Sequence, residues 1–180
     1  MPTNSDAPRG LEYLDGPRMV VPAIVLAADS VVLGVNDPVV IATLGSGKLT
    51  VARAAANGGI NGVIVEPRIE GWNYATTDRR RQASTLTKVT VLLTPPHLHI
   101  FRIQSVTGTN YSATLADKFC NLATMANADS LTGISVAEVD LAAAHATAGD
   151  LYVLGLDEAF GGVNETGQAH AKLKVRIANT

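Results

Sequence analysis

The fold of this chain is decided at residues 39–55, which read VVIATLGSGKLTVARAA. The segment resembles a phosphate-binding loop, G-x-x-x-x-G-K-[ST], which must lie between a strand and a helix. The match fails because Ala42 stands where the first Gly is required and Leu49 follows Lys48 in place of a hydroxyl residue. A β-branched run and an NGG motif come next and leave no room for a crossover helix. Two short strand-like runs joined by Gly45-Ser46-Gly47 instead predict a β-hairpin.

Short apolar runs separated by turn residues continue on both sides of this hairpin. Such close spacing of strand and turn signals favours an all-β barrel or sandwich. A faint internal sequence similarity supports this fold class. Residues 58–67 and 85–93 are similar to residues 149–158 and 171–177. In each pair a Gly-led strand ends in an acidic residue, and a polar loop leads to a Lys-bearing strand. The predicted fold class is mainly β, a small β-barrel or sandwich built from two similar β units.

The chain divides by composition. Residues 1–18 are polar and rich in Pro and Gly, and we interpret them as an extended N-terminal arm rather than a folded element. Residues 19–180 form the predicted β domain, with possible sub-units 19–94 and 95–180. Residues 66–84 lose all apolar periodicity and predict a long excursion from the barrel, of the kind that is functional or disordered.

At most one short helix is expected. The best candidate is residues 113–128, ATLADKFCNLATMANA, where four apolar residues recur at steps of three or four, namely Leu115, Phe119, Leu122 and Met125. The rival interpretation of the same segment is a short strand, a turn and another strand.

Composition excludes several functional classes. The net charge of -2 gives no general attraction to nucleic acid or to an anionic membrane, so neither is expected as a direct partner. Cys120 is the single cysteine and can form neither a disulfide framework nor a Cys-rich zinc site within the chain. No apolar run reaches the length of about 18 residues that a membrane helix needs. A standard secretion signal is not evident at the start, which predicts synthesis in the cytoplasm.

Two groups of residues are candidates for a partner interface. The excursion holds aromatic and Arg residues, the types enriched at interface hot spots, although a loop that buries its own Trp is an equal alternative. The last predicted strand alternates sharply, so that its basic residues share one face and either blunt a sheet edge or meet a partner. The candidates are Trp72, Tyr74, Arg79, Arg80, Arg81, Lys172, Lys174 and Arg176.

No catalytic, cofactor-binding or metal-binding constellation is predicted. Ser135 lies in a near match to G-x-S-x-G, but its surroundings favour a plain strand serine, and a loose His145 and Asp150 add little. Asp157 and Glu158 are expected in a solvated turn.

One pair of histidines could share a metal. His97 and His99 would lie on the same face of an extended strand, but their neighbours Pro, Leu, Ile and Phe offer no third ligand. We therefore expect no enzyme activity and no cofactor.

Two long segments resemble the capsid decoration, or cement, proteins of tailed bacteriophages. Residues 34–67, GVNDPVVIATLGSGKLTVARAAANGGINGVIVEP, are similar to the family pattern of a strand, a G-K hairpin, an Ala-rich stretch and I-x-G-V. Asn36 stands where Gly is usual. Residues 99–104, 113–158 and 171–179 resemble the second half of such proteins, with L-x-V-L-G-L before a final edge strand.

The resemblance implies a structural virion protein without enzyme activity. Its expected partner is the major capsid protein, bound on the outside of the assembled capsid, and the expected state is a homo-oligomer with a trimer favoured. The expected role is to stabilise the capsid lattice. The alternative is a non-catalytic carbohydrate- or receptor-binding β module of a virion, with Trp72 and Tyr74 stacking on the ligand.

Overall fold

The structure is a computed structural model of the 180-residue chain. It describes residues 7–26, 28, 30–43, 48–56, 58–68, 86–95, 97–106, 110–123, 126–129, 132–145, 147–158, 167 and 169–178. Within these ranges the chain is mainly β, which confirms the predicted fold class. The strands are β1 Glu12–Asp15, β2 Val20–Val25, β3 Pro38–Thr43, β4 Thr50–Arg53, β5 Gly62–Arg68, β6 Thr87–Leu93, β7 Ile100–Gln104, β8 Phe119–Leu122, β9 Val139–His145, β10 Leu151–Leu156 and β11 Lys172–Ile177.

The first of two sheets is a closed barrel with the strand order β2-β4-β3-β5-β6. The predicted hairpin is confirmed in its strands, since β3 and β4 pair antiparallel with Val39 opposite Arg53 and Ile41 opposite Val51. Residues 44–47, which include the predicted turn glycines, lie outside the described residues. Lys48 is exposed and leads into a strand rather than a helix, so the phosphate-loop interpretation is excluded by the context that it requires.

The second sheet has six strands in the order β1-β7-β11-β10-β8-β9. The internal similarity seen in the sequence matches β10 and β11 of this sheet to β5 and β6 of the barrel. Both pairs are antiparallel, and both have a register shift in the first strand. The sheets themselves differ, since one closes on itself and the other is open. The predicted boundary between residues 94 and 95 falls between β6 and β7.

The N-terminal segment corrects one prediction. Strand β1 pairs antiparallel with β7, placing Glu12 opposite Arg102. Leu11 is completely buried, and its amide donates to the carbonyl of Asn36. The statement that residues 1–18 are not a folded element is therefore wrong for residues 11–15. Their polar, Gly-rich surroundings concealed a short strand, because its pairing partner is about 90 residues away along the chain.

The helix candidate at residues 113–128 is also wrong. The structure has one 3₁₀ turn at Ala113–Leu115, followed by strand β8, as the rival interpretation proposed. Cys120 and Leu122 point into the core while Phe119 and Asn121 are half-buried. The apolar spacing of three or four was compatible with both structures, and pairing with β9 and β10 selected the strand.

Two apolar clusters form the core. One fills the barrel with small side chains, among them Val25, Val39, Val51, Val89 and Val91. The other lies between the barrel wall and the second sheet, and it joins Ile60 and Leu92 of the barrel to Phe101 and Leu173 of the sheet. Two thin cores stacked in this way suit a chain with many Ala and Val residues and few aromatics.

A tight junction at residues 34–37 connects the two units. Val35 donates to the carbonyl of Gly133, and Asn36 donates to the carbonyl of Ile64 in β5. Asn36 has a φ of 69°, a left-handed conformation that Asn tolerates better than most residues. Asn36 thus forms this left-handed turn without a Gly.

Candidate interaction surfaces

The predicted basic row lies on the outer face of the second sheet. Lys172, Lys174 and Arg176 alternate along β11 with Leu173, Val175 and Ile177, which are buried as the alternation predicted. The predicted position of this strand is wrong, however. Strand β11 is not an edge, because it pairs with β7 on one side and with β10 on the other. The basic row therefore runs across the middle of a sheet.

A buried carboxylate organises the charges on this face. Asp157 is 1% exposed, which corrects its predicted place in a solvated turn. Its carboxylate accepts a hydrogen bond from Nε of Arg102 and lies 3.8 Å from Nζ of Lys174. Arg102 also donates from Nη1 to Glu12 of β1 at 3.1 Å. Of the predicted pair Asp157 and Glu158, only Glu158 is exposed.

Lys172 is held inside the fold. Residues 7–10 cross this face of the sheet, and Nζ of Lys172 donates to the carbonyl of Ala7 at 3.1 Å and to Oε1 of Gln104. Nε2 of Gln104 donates in turn to Glu138 at 2.8 Å. Lys172 is buried by this arrangement, so it is a fixed structural residue rather than an accessible member of the row.

Arg176 and Tyr152 lie opposite one another on β11 and β10. Tyr152 packs edge-on against Phe119 at 5.2 Å, and its hydroxyl donates to Asp117 at 2.8 Å. The hydrogen bond to Asp117 raises the pKa of Tyr152. Of the predicted row, Lys174 and Arg176 are thus the members with solvent access, and both lie beside acidic or aromatic neighbours.

The remaining predicted interface residues are Trp72, Tyr74, Arg79, Arg80 and Arg81. All five lie outside the described residues. Their assignment to an interface stays a prediction.

The histidine pair does not share a face. Strand β7 begins at Ile100, so His97 and His99 precede it, and His97 has a φ of 63°. His97 is exposed, while His99 is buried and its Nε2 donates to the carbonyl of Pro17. Within the described part of the chain, no three His, Cys, Asp or Glu side chains lie close enough to hold a metal ion.

Ser135 and Asp150 serve as structural residues. Ser135 is fully buried, its amide donates to the carbonyl of Val35, and its Oγ accepts from the amide of Ala137. Ser135 follows the isolated bridge residue Ile134 and lies before β9, so the predicted strand serine is corrected to a buried serine outside the strands. Asp150 is buried, and its carboxylate accepts hydrogen bonds from the amides of Gly59 and Leu122. The side chain of His145 lies outside the described set.

A second surface, on the barrel, was missed by the sequence reasoning. Large apolar side chains are exposed at both ends of the β2–β6 pair, with Met19 at 54% and Val20 at 46% at one end and Leu86 at 63% at the other. Nearby, β2 and β6 border a groove of about 260 Å³. The groove is lined by Pro22, Ala23, Ile24, Lys48, Leu49, Lys88 and Val89. The sequence gave no direct signal of it, because the exposure of these side chains depends on how β2 and β6 pair.

Comparisons with known proteins give little further guidance. No family model matches the chain, and no curated protein matches it. Among solved structures, the N base of the head fiber gp8.5 in bacteriophage phi29 matches with a TM-score of 0.43 and 10% sequence identity. That match covers 90% of this chain and 97% of the other chain. A TM-score of this size carries no argument about function. Among the described residues, no helix is long and apolar enough to cross a membrane.

Proposed function

We propose that this chain is a structural virion protein that binds the outer surface of an assembled phage capsid and stabilises the lattice of the major capsid protein. The proposed class of protein rests on the sequence resemblance, whose first part is residues 34–67. In the structure these residues form the junction and the consecutive barrel strands β3, β4 and β5. This first part of the resemblance therefore lies on one continuous part of the barrel, and the second part covers strands β7 to β11 of the second sheet.

The observation that supports a binding role is the distribution of apolar and polar side chains. The polar side chains that could take part in catalysis are held in hydrogen bonds within the fold, as Asp157, Ser135 and His99 show. The exposed large apolar side chains are Met19, Val20, Leu26, Ile41 and Leu86 on the barrel, and Leu98 before β7. Four of them form two groups at opposite ends of the β2–β6 pair, Met19 with Val20 and Leu26 with Leu86. Neighbouring exposed apolar side chains are typical of protein interaction sites. The proposal assigns no catalytic activity and no cofactor.

The proposed assembly is a homo-oligomer, with a trimer favoured, that meets many equivalent capsid sites. Modest contacts gain strength when several of them are made at once, because the second and third contacts form at high effective concentration. A thin-cored β protein can then stabilise a shell without a large individual interface.

Co-sedimentation tests the proposal. Purified full-length protein is mixed with empty shells of the phage that encodes it, and bound protein is measured by pelleting and by electron microscopy of the shells. We expect saturable binding and a higher temperature of shell disruption. Protein that stays in the supernatant at saturating shell concentration would contradict the proposal.

A further inference from the structure

Gln104 and Lys172 face each other at one end of the β7–β11 pair, where the register places them directly opposite. Both side chains are buried, with Gln104 at 2% and Lys172 at 9% exposure. Nζ of Lys172 donates a hydrogen bond to Oε1 of Gln104. A primary amine is therefore held against the carbonyl of a carboxamide inside the fold.

The backbone of Ala7 contacts both of these groups. Its carbonyl accepts from Nζ of Lys172 at 3.1 Å, and its amide donates to Oε1 of Gln104 at 3.1 Å. A backbone N–H directed at a carbonyl oxygen stabilises the negative charge that develops there when a nucleophile adds to the carbonyl carbon. Ala7 thus positions the amine and polarises the carboxamide.

The nitrogen of the same carboxamide has acid–base groups beside it. Nε2 of Gln104 donates to Oε1 of Glu138 at 2.8 Å, and Nδ1 of His170 lies 3.4 Å from this nitrogen. Glu138 is half-buried and directly precedes β9. A carboxyl group at hydrogen-bonding distance from a nitrogen can give it a proton as the nitrogen leaves.

Main-chain contacts of Ser105 hold this cluster together. The amide of Ser105 donates to the carbonyl of Ala171 at 2.9 Å, and Ser105 forms an isolated β-bridge with Val139. Each of these three residues adjoins one member of the cluster in sequence. Groups that are held in one geometry react as if they were present at very high concentration.

We propose that Lys172 and Gln104 become joined by an intramolecular isopeptide bond, in a reaction that the folded chain carries out on itself. Nζ of the neutral amine adds to Cδ of Gln104, and the bond from Cδ to Nε2 then breaks. Glu138 takes up one proton from Nζ and delivers one to Nε2, which leaves as ammonia. The step needs no oxidant, reductant or cofactor, because one amide nitrogen replaces another. It occurs once in each chain, so the product is a cross-linked protein rather than an enzyme with turnover.

The surroundings of the pair suit this reaction. Burial disfavours the charged form of an amine, and only the neutral form has the lone pair that attacks. A cavity of about 200 Å³ adjoins the pair, and Ile103 and Gly10 contribute to its lining beside Gln104 and Lys172. The cavity leaves room for the carboxamide to turn towards the amine and for ammonia to depart.

The bond joins two adjacent strands of the second sheet, β7 and β11, through residues that are 68 positions apart in the chain. A cross-link over a long loop restricts the unfolded chain and thereby stabilises the fold, as a disulfide does. We expect the midpoint of thermal unfolding to be about 10 °C higher with the bond than without it. This assignment does not depend on the proposed function, because it follows from the contacts around Gln104 alone.

Mass spectrometry of the purified full-length protein, denatured after folding, tests the proposal directly. We expect an intact mass that is lower than the mass of the sequence by one ammonia. Protease digestion should then release one branched peptide that contains both Gln104 and Lys172, and fragmentation of this peptide should locate the bond. The wild-type protein alone decides whether the bond exists, whatever the variants do.

Two variants test the roles of the residues, and circular dichroism checks that each variant is folded. Lys172→Arg keeps a cationic donor but has no attacking amine, so it should retain the full mass of its sequence. Glu138→Gln keeps a hydrogen-bond partner for Nε2 but cannot carry a proton, so the bond should form about a hundredfold more slowly. The matched control is Lys174→Arg on the same strand, which should lose one ammonia as the wild type does.

Three results would overturn the proposal. The first is a folded wild-type protein that keeps the full mass of its sequence after prolonged incubation. The second is a loss of ammonia that fragmentation assigns to another residue, with Gln104 and Lys172 recovered in separate peptides. The third is a bond that forms in Glu138→Gln at the wild-type rate, which would remove Glu138 from the reaction.

Discussion

The carboxyl group of Asp37 should make stability depend on pH. It is 1% exposed, and it accepts a hydrogen bond from the amide of Gly34 at 2.7 Å and another from the hydroxyl of Ser135. Burial raises its pKa from 3.8 to about 6, and the hydrogen bonds and the charge of Arg53 offset only part of that rise. The group sits in the junction between the barrel and the second sheet.

The sign and size of the effect follow from linkage between protonation and folding. Well below pH 3.8 the carboxyl is protonated in both states and its full contribution to stability is present. As the pH rises to about 6 the unfolded chain ionises first, so the free energy of unfolding falls. At about 1.4 kcal/mol for each pKa unit, the loss approaches about 3 kcal/mol and stays constant at higher pH.

The perturbation is Asp37→Asn, which keeps the shape and an acceptor for Gly34 but cannot ionise. Urea unfolding of both proteins from pH 3.5 to pH 8 gives the difference in unfolding free energy at each pH. We expect wild type minus variant to fall by about 3 kcal/mol between about pH 4 and pH 7. Carboxyl ¹³C NMR should place the midpoint of Asp37 near pH 6.

A second variant checks the cause. Ser135→Ala removes a hydrogen bond that lowers the pKa of Asp37, so the midpoint should move upward. A difference between wild type and Asp37→Asn that is independent of pH would refute the reasoning, because it would mean that the fold accommodates the ionised and the protonated carboxyl equally well.

Three further predictions concern the core. Leu11→Ala removes a fully buried side chain and should lower the free energy of unfolding by about 3–5 kcal/mol in urea titrations, against less than about 0.5 kcal/mol for Leu98→Ala. Gly62→Ala would place Cβ 2.4 Å from Cγ1 of Val91, so it should lower the midpoint of thermal unfolding measured by calorimetry; an unchanged midpoint would contradict this packing. Burial raises the pKa of the Cys120 thiol to about 11, so a thiol reagent at pH 8 should react with it only after denaturant is added, and reaction within seconds in the native protein would be inconsistent with it.

The sequence determined the local features of this protein. Alternation along residues 171–177 gives the buried face of β11, and the turn residues around Lys48 give a hairpin instead of a phosphate loop. These features are readable because side chains on a strand alternate with a period of two, whatever the strand pairs with. The mainly β class follows from the same pattern repeated along the chain.

The sites could not be read in the same way, because they depend on which strands become neighbours. The sequence placed Lys172 on a basic row and Asp157 in a solvated turn, yet both are buried. Lys172 donates to Ala7 and Gln104, and Asp157 is paired with Arg102 of β7. Local alternation fixes which side chains share a face, whereas long-range pairing decides whether that face or edge meets solvent, and only the tertiary structure contains that pairing.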